Sequence, residues 1–187
     1  MAEKWIATLS IGWGRLVRAS AFGALAIGGA IFAALALPIA PIKSAWWNTV
    51  TDIQGEFKEE IGWPELVETV ANIYAALPAE DRSQTGIMTG NYGEAGAINL
   101  YGPAYGLPEA ISGINSYWLR GHGEPPRQNL ILLDMLPDSA FEKCQLAGRV
   151  TNLYGVRNEE TSHPDIYLCR RMRQPWPEFW KRMRRFG

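Results

Sequence analysis

The sequence predicts an α/β protein: a single N-terminal transmembrane helix followed by a small, mainly parallel extracytoplasmic α/β domain. Three observations carry this expectation. No residue from Ala19 to Ile42 is charged, although 20% of the 187 residues are. Beyond that run, short apolar stretches bounded by Gly and Pro alternate with amphipathic ones, in the strand–turn–helix–strand order that builds parallel sheets. Both cysteines, Cys144 and Cys169, lie in this second part.

The uncharged run is long enough to matter. Its 24 residues make about 36 Å of helix against a hydrocarbon core of about 30 Å. A signal-peptide core is shorter, a buried core helix of this length is unusual in so small a domain, and an interfacial helix needs a charged face that is missing here. Phe22, Leu25, Ile27, Ile31, Phe32, Leu35, Leu37 and Ile39 supply the lipid affinity, while Ala26, Ala30 and Ala34 recur four apart. Such spacing either lets another membrane helix approach closely or simply fills a tolerant helix. Lys4, Arg15 and Arg18 precede the run and only Lys43 follows closely, which places the N-terminus in the cytoplasm and the rest outside the membrane. The expected organisation is a cytoplasmic or interfacial segment at 1–18, a membrane span at 19–42 ended by Pro38 and Pro41, and a linker at 43–62. An extracytoplasmic domain at 63–170 and a basic, aromatic C-terminal helix at 171–187 follow.

Within the domain, Trp63–Leu77 reads as an amphipathic helix. Pro64 sits in the first turn, Glu65 and Glu68 suit the positive helix N-terminus, and Leu66, Val67, Val70, Ile73, Tyr74 and Leu77 form one stripe. Gly86–Thr89 reads as a strand, then a Gly-rich turn, then a helix over Glu94–Tyr101. Ala110–Trp118 and Asn129–Leu136 read as strands, Phe141–Asn152 as helical or extended, and Asp165–Arg170 as a last strand. On the oxidising side of a membrane, Cys144 and Cys169 are expected to pair, a link worth about 2–4 kcal/mol; two buried thiols are the alternative.

Candidate chemistry is sparse. Thr89–Gly96, TGNYGEAG, is a Gly-rich strand-to-helix turn that could cradle a phosphate. Its spacing matches neither GxGxxG nor a P-loop, and Glu94 at its mouth would repel a phosphate, so the favoured reading is a tight turn with Glu94 stabilising the helix start. Ser112–Gly121, SGINSYWLRG, offers Asn115, Ser116, Tyr117 and Trp118 as hydrogen bonds and stacking surface for a sugar, or as an aromatic-covered strand end. His122 and His163 read as solvated loop histidines, and no spacing of Cys or His suggests a metal. At the C-terminus, Trp176, Phe179, Trp180 and Met183 share a helical face, with Lys181, Arg182, Arg184 and Arg185 around it. Such a helix either lies on anionic headgroups or packs its aromatics on its own domain.

Four stretches, FKEEIGWPELVETVANIYAALP, GNYGEAGAINLYGPAYGLPEAISGINSYWLRG, CQLAGRVTNLYGVRNEE and HPDIYLCRRMRQPWPEFW, occur in an order that resembles the C-terminal region of bacterial glycosyltransferase family 39-like proteins. These multi-spanning enzymes are related to the protein O-mannosyltransferases (dolichyl-phosphate-mannose-protein mannosyltransferases). The resemblance covers the span and nearly everything after it. It implies a last membrane helix, an extracytoplasmic domain in the bacterial inner membrane, a polyprenyl-phosphate-linked sugar donor, and partnership with the other membrane helices of a glycosyltransferase core. The family's catalytic and metal-binding acids lie in early loops that have no counterpart here, so no catalytic residue carries over, and no cofactor or nucleic acid is expected for this chain. Family members often carry a polar residue such as His where this chain has Ile114. Either the chain is a fragment of a longer product or a small protein that kept the tail. Asn91, Tyr92, Glu94, Asn115, Tyr117 and Trp118 are the expected substrate contacts. The alternative reading is a non-enzymatic, membrane-tethered binding or scaffold module.

Overall fold

The computed structural model describes residues 11–37, 39–124 and 126–186. The chain divides into two compact units, residues 1–57 and 58–187. In the first, helix α1 spans Ile11–Ala36 and α2 spans Ala45–Ile53. Trp13–Ala36 is long and apolar enough to cross a membrane, and Phe22, Leu25, Ile27, Ile31 and Phe32 are all exposed. The helix begins earlier and ends earlier than the uncharged run suggests. Residues 11–18 are its first turns, residues 1–10 lie outside the described residues, and it stops two positions before Pro38, because proline disfavours helical geometry at the residue before it. The expected linker contains α2, whose N-cap Ser44 accepts a hydrogen bond from Trp47 N–H at 3.1 Å.

In the second unit, α3 (Trp63–Ala75) carries the apolar stripe read from its sequence, with Leu66, Val67, Val70 and Ala71 buried. Strand β1 (Thr85–Thr89) leads through Gly90 and Asn91 into α4 (Tyr92–Tyr101). Strands β2 (Ala110–Ser112), β3 (Asn129–Leu133), β4 (Phe141–Arg149) and β5 (Asp165–Met172) follow, and α5 (Trp176–Met183) comes last.

The five strands form one sheet in the order β2-β1-β3-β5-β4. Strands β2 and β3 pair with β1 in parallel, but β5 is antiparallel to both β3 and β4. The sheet is therefore mixed, not mainly parallel. The connection from β3 to β4 is too short to carry a crossover helix, and β5 returns in the opposite direction to fill the gap between them.

Alternating side chains feed two cores. Ile87, Ile131, Leu133, Ile166 and Leu168 join α3 and α4 on one face. Met88, Leu130, Leu132, Phe141 and Cys169 join Trp176, Phe179 and Trp180 of α5 on the other. Of the two readings of the C-terminal aromatics, the structure takes the second: they are buried on their own domain. The helix occupies only Trp176–Met183 of the expected 171–187, since β5 runs on to Met172 and Pro175 and Pro177 set the helix start. Cys144 and Cys169 face each other across the β4–β5 register and form a disulfide.

Candidate functional site: a crevice at the carboxyl ends of β1 and β3

Strand β1 has β2 on one side and β3 on the other, so the connections leaving β1 and β3 part in opposite directions. In open α/β sheets such a switch leaves a crevice outside the strand ends. Here the crevice has a volume of about 360 Å³ and is lined by Thr89, Gly90, Gly113, Asp134, Asp138 and Arg185, among others. Two glycines make it possible. A Cβ at Gly90 would overlap the Asp134 backbone carbonyl, and one at Gly113 would overlap that of Met183. Strand β2 therefore stops at Ser112 instead of running to Trp118. Gly113 accepts from Arg185 N–H at 2.9 Å, Asn115 N–H donates to the Arg185 carbonyl at 2.9 Å, and Asn115 turns the chain with φ of 50° into a single helical turn, Asn115–Trp118.

Beyond Gly90 the chain enters the head of α4. Asn91 is its N-cap, and its side-chain oxygen accepts from Glu94 N–H at 2.8 Å. An Asn-x-x-Glu sequence commonly closes a capping box, with the glutamate reaching back to the N-cap. Glu94 does not do so. Its side chain is fully buried, and neither carboxyl oxygen has a hydrogen-bond partner among the described residues; Asn91 Nδ2 is buried in the same condition. Burial, reinforced by the charges of Asp134, Glu160 and Glu159, pushes the Glu94 carboxyl up to about 9, so it is protonated at neutral pH.

Asp134, directly after β3, holds a left-handed backbone with φ of 47°. Burial raises its pKa, opposed by the positive charges of His163 and Arg185. His163 Nδ1 stands 3.5 Å from Asp134 Oδ1. A second hollow of about 260 Å³, lined by Asp134, His163 and Tyr167 among others, opens beside them. Behind lies the loop between β4 and β5, where Asn158 completes a reciprocal capping box with Thr161 at the start of the turn Glu159–Ser162. Asn158 Nδ2 also donates to the Ile61 carbonyl at 2.9 Å, which stitches residues 58–62 to this loop. Glu160 in that turn is buried with Oε2 unpartnered among the described residues, and burial lifts its pKa to about 7.

The six residues singled out from the sequence divide. Asn91 and Glu94 follow Gly90 at the start of α4, Asn91 as its N-cap and Glu94 wholly buried, and neither lines the crevice; Tyr92 between them is 61% exposed. Asn115 is at the Gly113 corner. Tyr117 packs against the α3–α4 core and lines a separate hollow with Arg120, whose guanidinium lies 4.4 Å from the Tyr117 ring centre. Trp118 packs against the other core, donating from Nε1 to the Trp180 carbonyl at 3.1 Å. His122 is not simply solvated: its ring stacks on Trp176 with centroids 4.7 Å apart. Sequence reasoning passed over Asp134 and Glu160, and read His163 only as a solvated loop histidine and Arg185 only as a charge beside the C-terminal aromatic face. The signal for Asp134 was available, as an acid placed directly after the most apolar strand.

None of the family models, curated proteins or solved structures compared with this chain matches it.

Proposed function

We propose that this chain is the C-terminal, membrane-anchored part of a glycosyltransferase that moves a sugar from a polyprenyl-phosphate donor on the non-cytoplasmic face of the bacterial inner membrane. In this reading α1 spans the bilayer once with its N-terminus in the cytoplasm, and other membrane helices supply the catalytic core. The second unit holds or admits the lipid-linked sugar or its acceptor. One observation carries the reading: the GNYGEAG turn after β1 and the SGIN turn after β2, both within stretches that resemble the family, converge on one crevice. Asn91, Tyr92 and Asn115 are the contacts proposed there, with Glu94 acting as a neutral hydrogen-bond donor. Tyr117 and Trp118 shape the corner from behind. The crevice alone does not perform transfer, which needs phosphate charge balanced and an acceptor activated by a base, preorganised together.

The test is photo-crosslinking in native membranes with a polyprenyl-phosphate sugar carrying a diazirine on the sugar. Labelled peptides from residues 89–94 and 113–116, competed by unmodified donor, are expected. Labelling equal to that of a diazirine-bearing phospholipid overturns the proposal. For the side of the membrane, an impermeant maleimide applied to intact spheroplasts after reduction should reach Cys144 or Cys169; labelling only after lysis contradicts it.

A further inference from the structure

We infer that Glu59, Glu159 and Glu160 form a binding site for a hard divalent cation of the Ca²⁺ class, a site that stands whether or not the chain serves sugar transfer. One carboxylate oxygen from each of the three lies within 4.8 Å of the others. Two oxygens bound to one Ca²⁺ at about 2.4 Å can be no more than about 4.8 Å apart, so the group has the right span without rearrangement. Three carboxylates supply up to six oxygens, and water can complete the six to eight that Ca²⁺ takes. An all-oxygen set disfavours Zn²⁺ or Cu²⁺, which prefer nitrogen and sulfur.

Three acids in proximity do not by themselves make a site, and here the surroundings add what is needed. Glu160 is 95% buried, and its Oε2 lacks any hydrogen-bond partner among the described residues. Glu94, from a different element, is wholly buried with both oxygens unpartnered, and its carboxyl group interacts electrostatically with Glu159 and Glu160. A carboxyl oxygen buried without a donor next to further carboxylates is an arrangement that a bound cation would satisfy. The frame is also fixed in place. Glu59 Oε2 accepts from Glu159 N–H at 2.8 Å, and Asn158 ties the Lys58–Ile61 backbone to the same turn. Two segments 100 residues apart are thereby held together at the point where the ion would bridge them.

The experiment is calorimetric titration of the full-length protein in detergent micelles, stripped with EDTA, with CaCl₂ and in parallel with MgCl₂, alongside thermal unfolding. One Ca²⁺ per chain with millimolar or tighter affinity and a raised melting temperature are expected. Glu159→Gln, at an exposed position, should weaken binding by about tenfold or more, and Glu59→Gln/Glu160→Gln should abolish it. Glu109→Gln, at the opposite end of the sheet, should bind as wild type does. Failure of millimolar Ca²⁺ to bind or shift the melt, a preference for Mg²⁺, or unchanged binding by Glu159→Gln overturns the site. The wild-type titration decides the matter if the double variant does not fold.

Discussion

Asp134 and Asp138 sit in the same connection between β3 and β4, yet their surroundings are opposite. Asp138 lies where the chain crosses the face covered by α5. Arg182 grips it with two hydrogen bonds of 2.9 Å, Ala140 N–H donates a third, and its pKa is lowered by Arg182 first of all. Asp134, at the strand end, has its pKa raised by burial first of all, against the pull of His163 and Arg185, and interacts with Glu94 and Glu160, acids with carboxyl oxygens unpartnered among the described residues. The pairing continues at the opposite end of the sheet, where Arg170 and Asp81 form an ion pair and Arg171 reaches Glu142. One region thus matches its acids with arginines, whereas the other sets His163 and Arg185 against Asp134, Glu94, Glu159 and Glu160. Folding alone favours the first arrangement, because a buried, unpartnered carboxyl costs stability. Where it persists, at Glu94 and Glu160, the rest of the fold offsets that cost.

Four variants sharpen that contrast. Phe179 is fully buried between Phe141 and Trp176, and Phe179→Ala should cost about 3–5 kcal/mol in chemical denaturation, the largest effect expected. Replacing Cys144 and Cys169 by alanine should cost about 2–4 kcal/mol, and wild type under reducing conditions should lose a comparable amount. Glu94→Gln should act the other way. A folded pKa raised from 4.5 to about 9 means the native state binds the proton more tightly than the unfolded chain does. Wild type then loses stability as pH rises from about 5 to 9, by at most about 1.4 kcal/mol per pH unit, and the variant's profile should be flatter across that window. Arg182→Ala should cost no more than about 1 kcal/mol, since Arg182 is substantially exposed. Because the Asp138 pKa is lowered, that contribution is present at neutral pH and fades as Asp138 protonates below its usual range.

Local patterns in the sequence carried much of the fold. The Leu66–Val67–Val70 stripe and the strand that starts at Asn129 are each specified within a dozen residues and form where expected, although β3 ends at Leu133 and not at Leu136, and α4 starts at Tyr92 and not at Glu94. What depends on distant partners was not legible. The antiparallel insertion of β5 between β3 and β4 is decided by pairing across the whole domain. Strand β2 is cut short by the backbone of residues 183–185, about which residues 110–118 carry no sign. The same holds for the site: Asn91 and Glu94 stood out through their turn. Glu59 and Glu160, by contrast, meet only because Asn158 binds the backbone of residues 58–61. Tyr117 and Trp118 are adjacent in sequence but pack on opposite faces of the sheet, so their shared motif does not make a shared surface.

At the head of α4, Glu94 is held with neither carboxyl oxygen partnered among the described residues. This arrangement is tested most directly by following the side-chain carboxyl carbon of Glu94 by NMR in ¹³C-Glu-labelled protein, kept free of divalent ions and assigned with Glu94→Gln. The account predicts a single titration centred near pH 9. A midpoint near the ordinary glutamate value of about 4.3 would contradict it, and would mean that water or donors reach the Glu94 carboxyl.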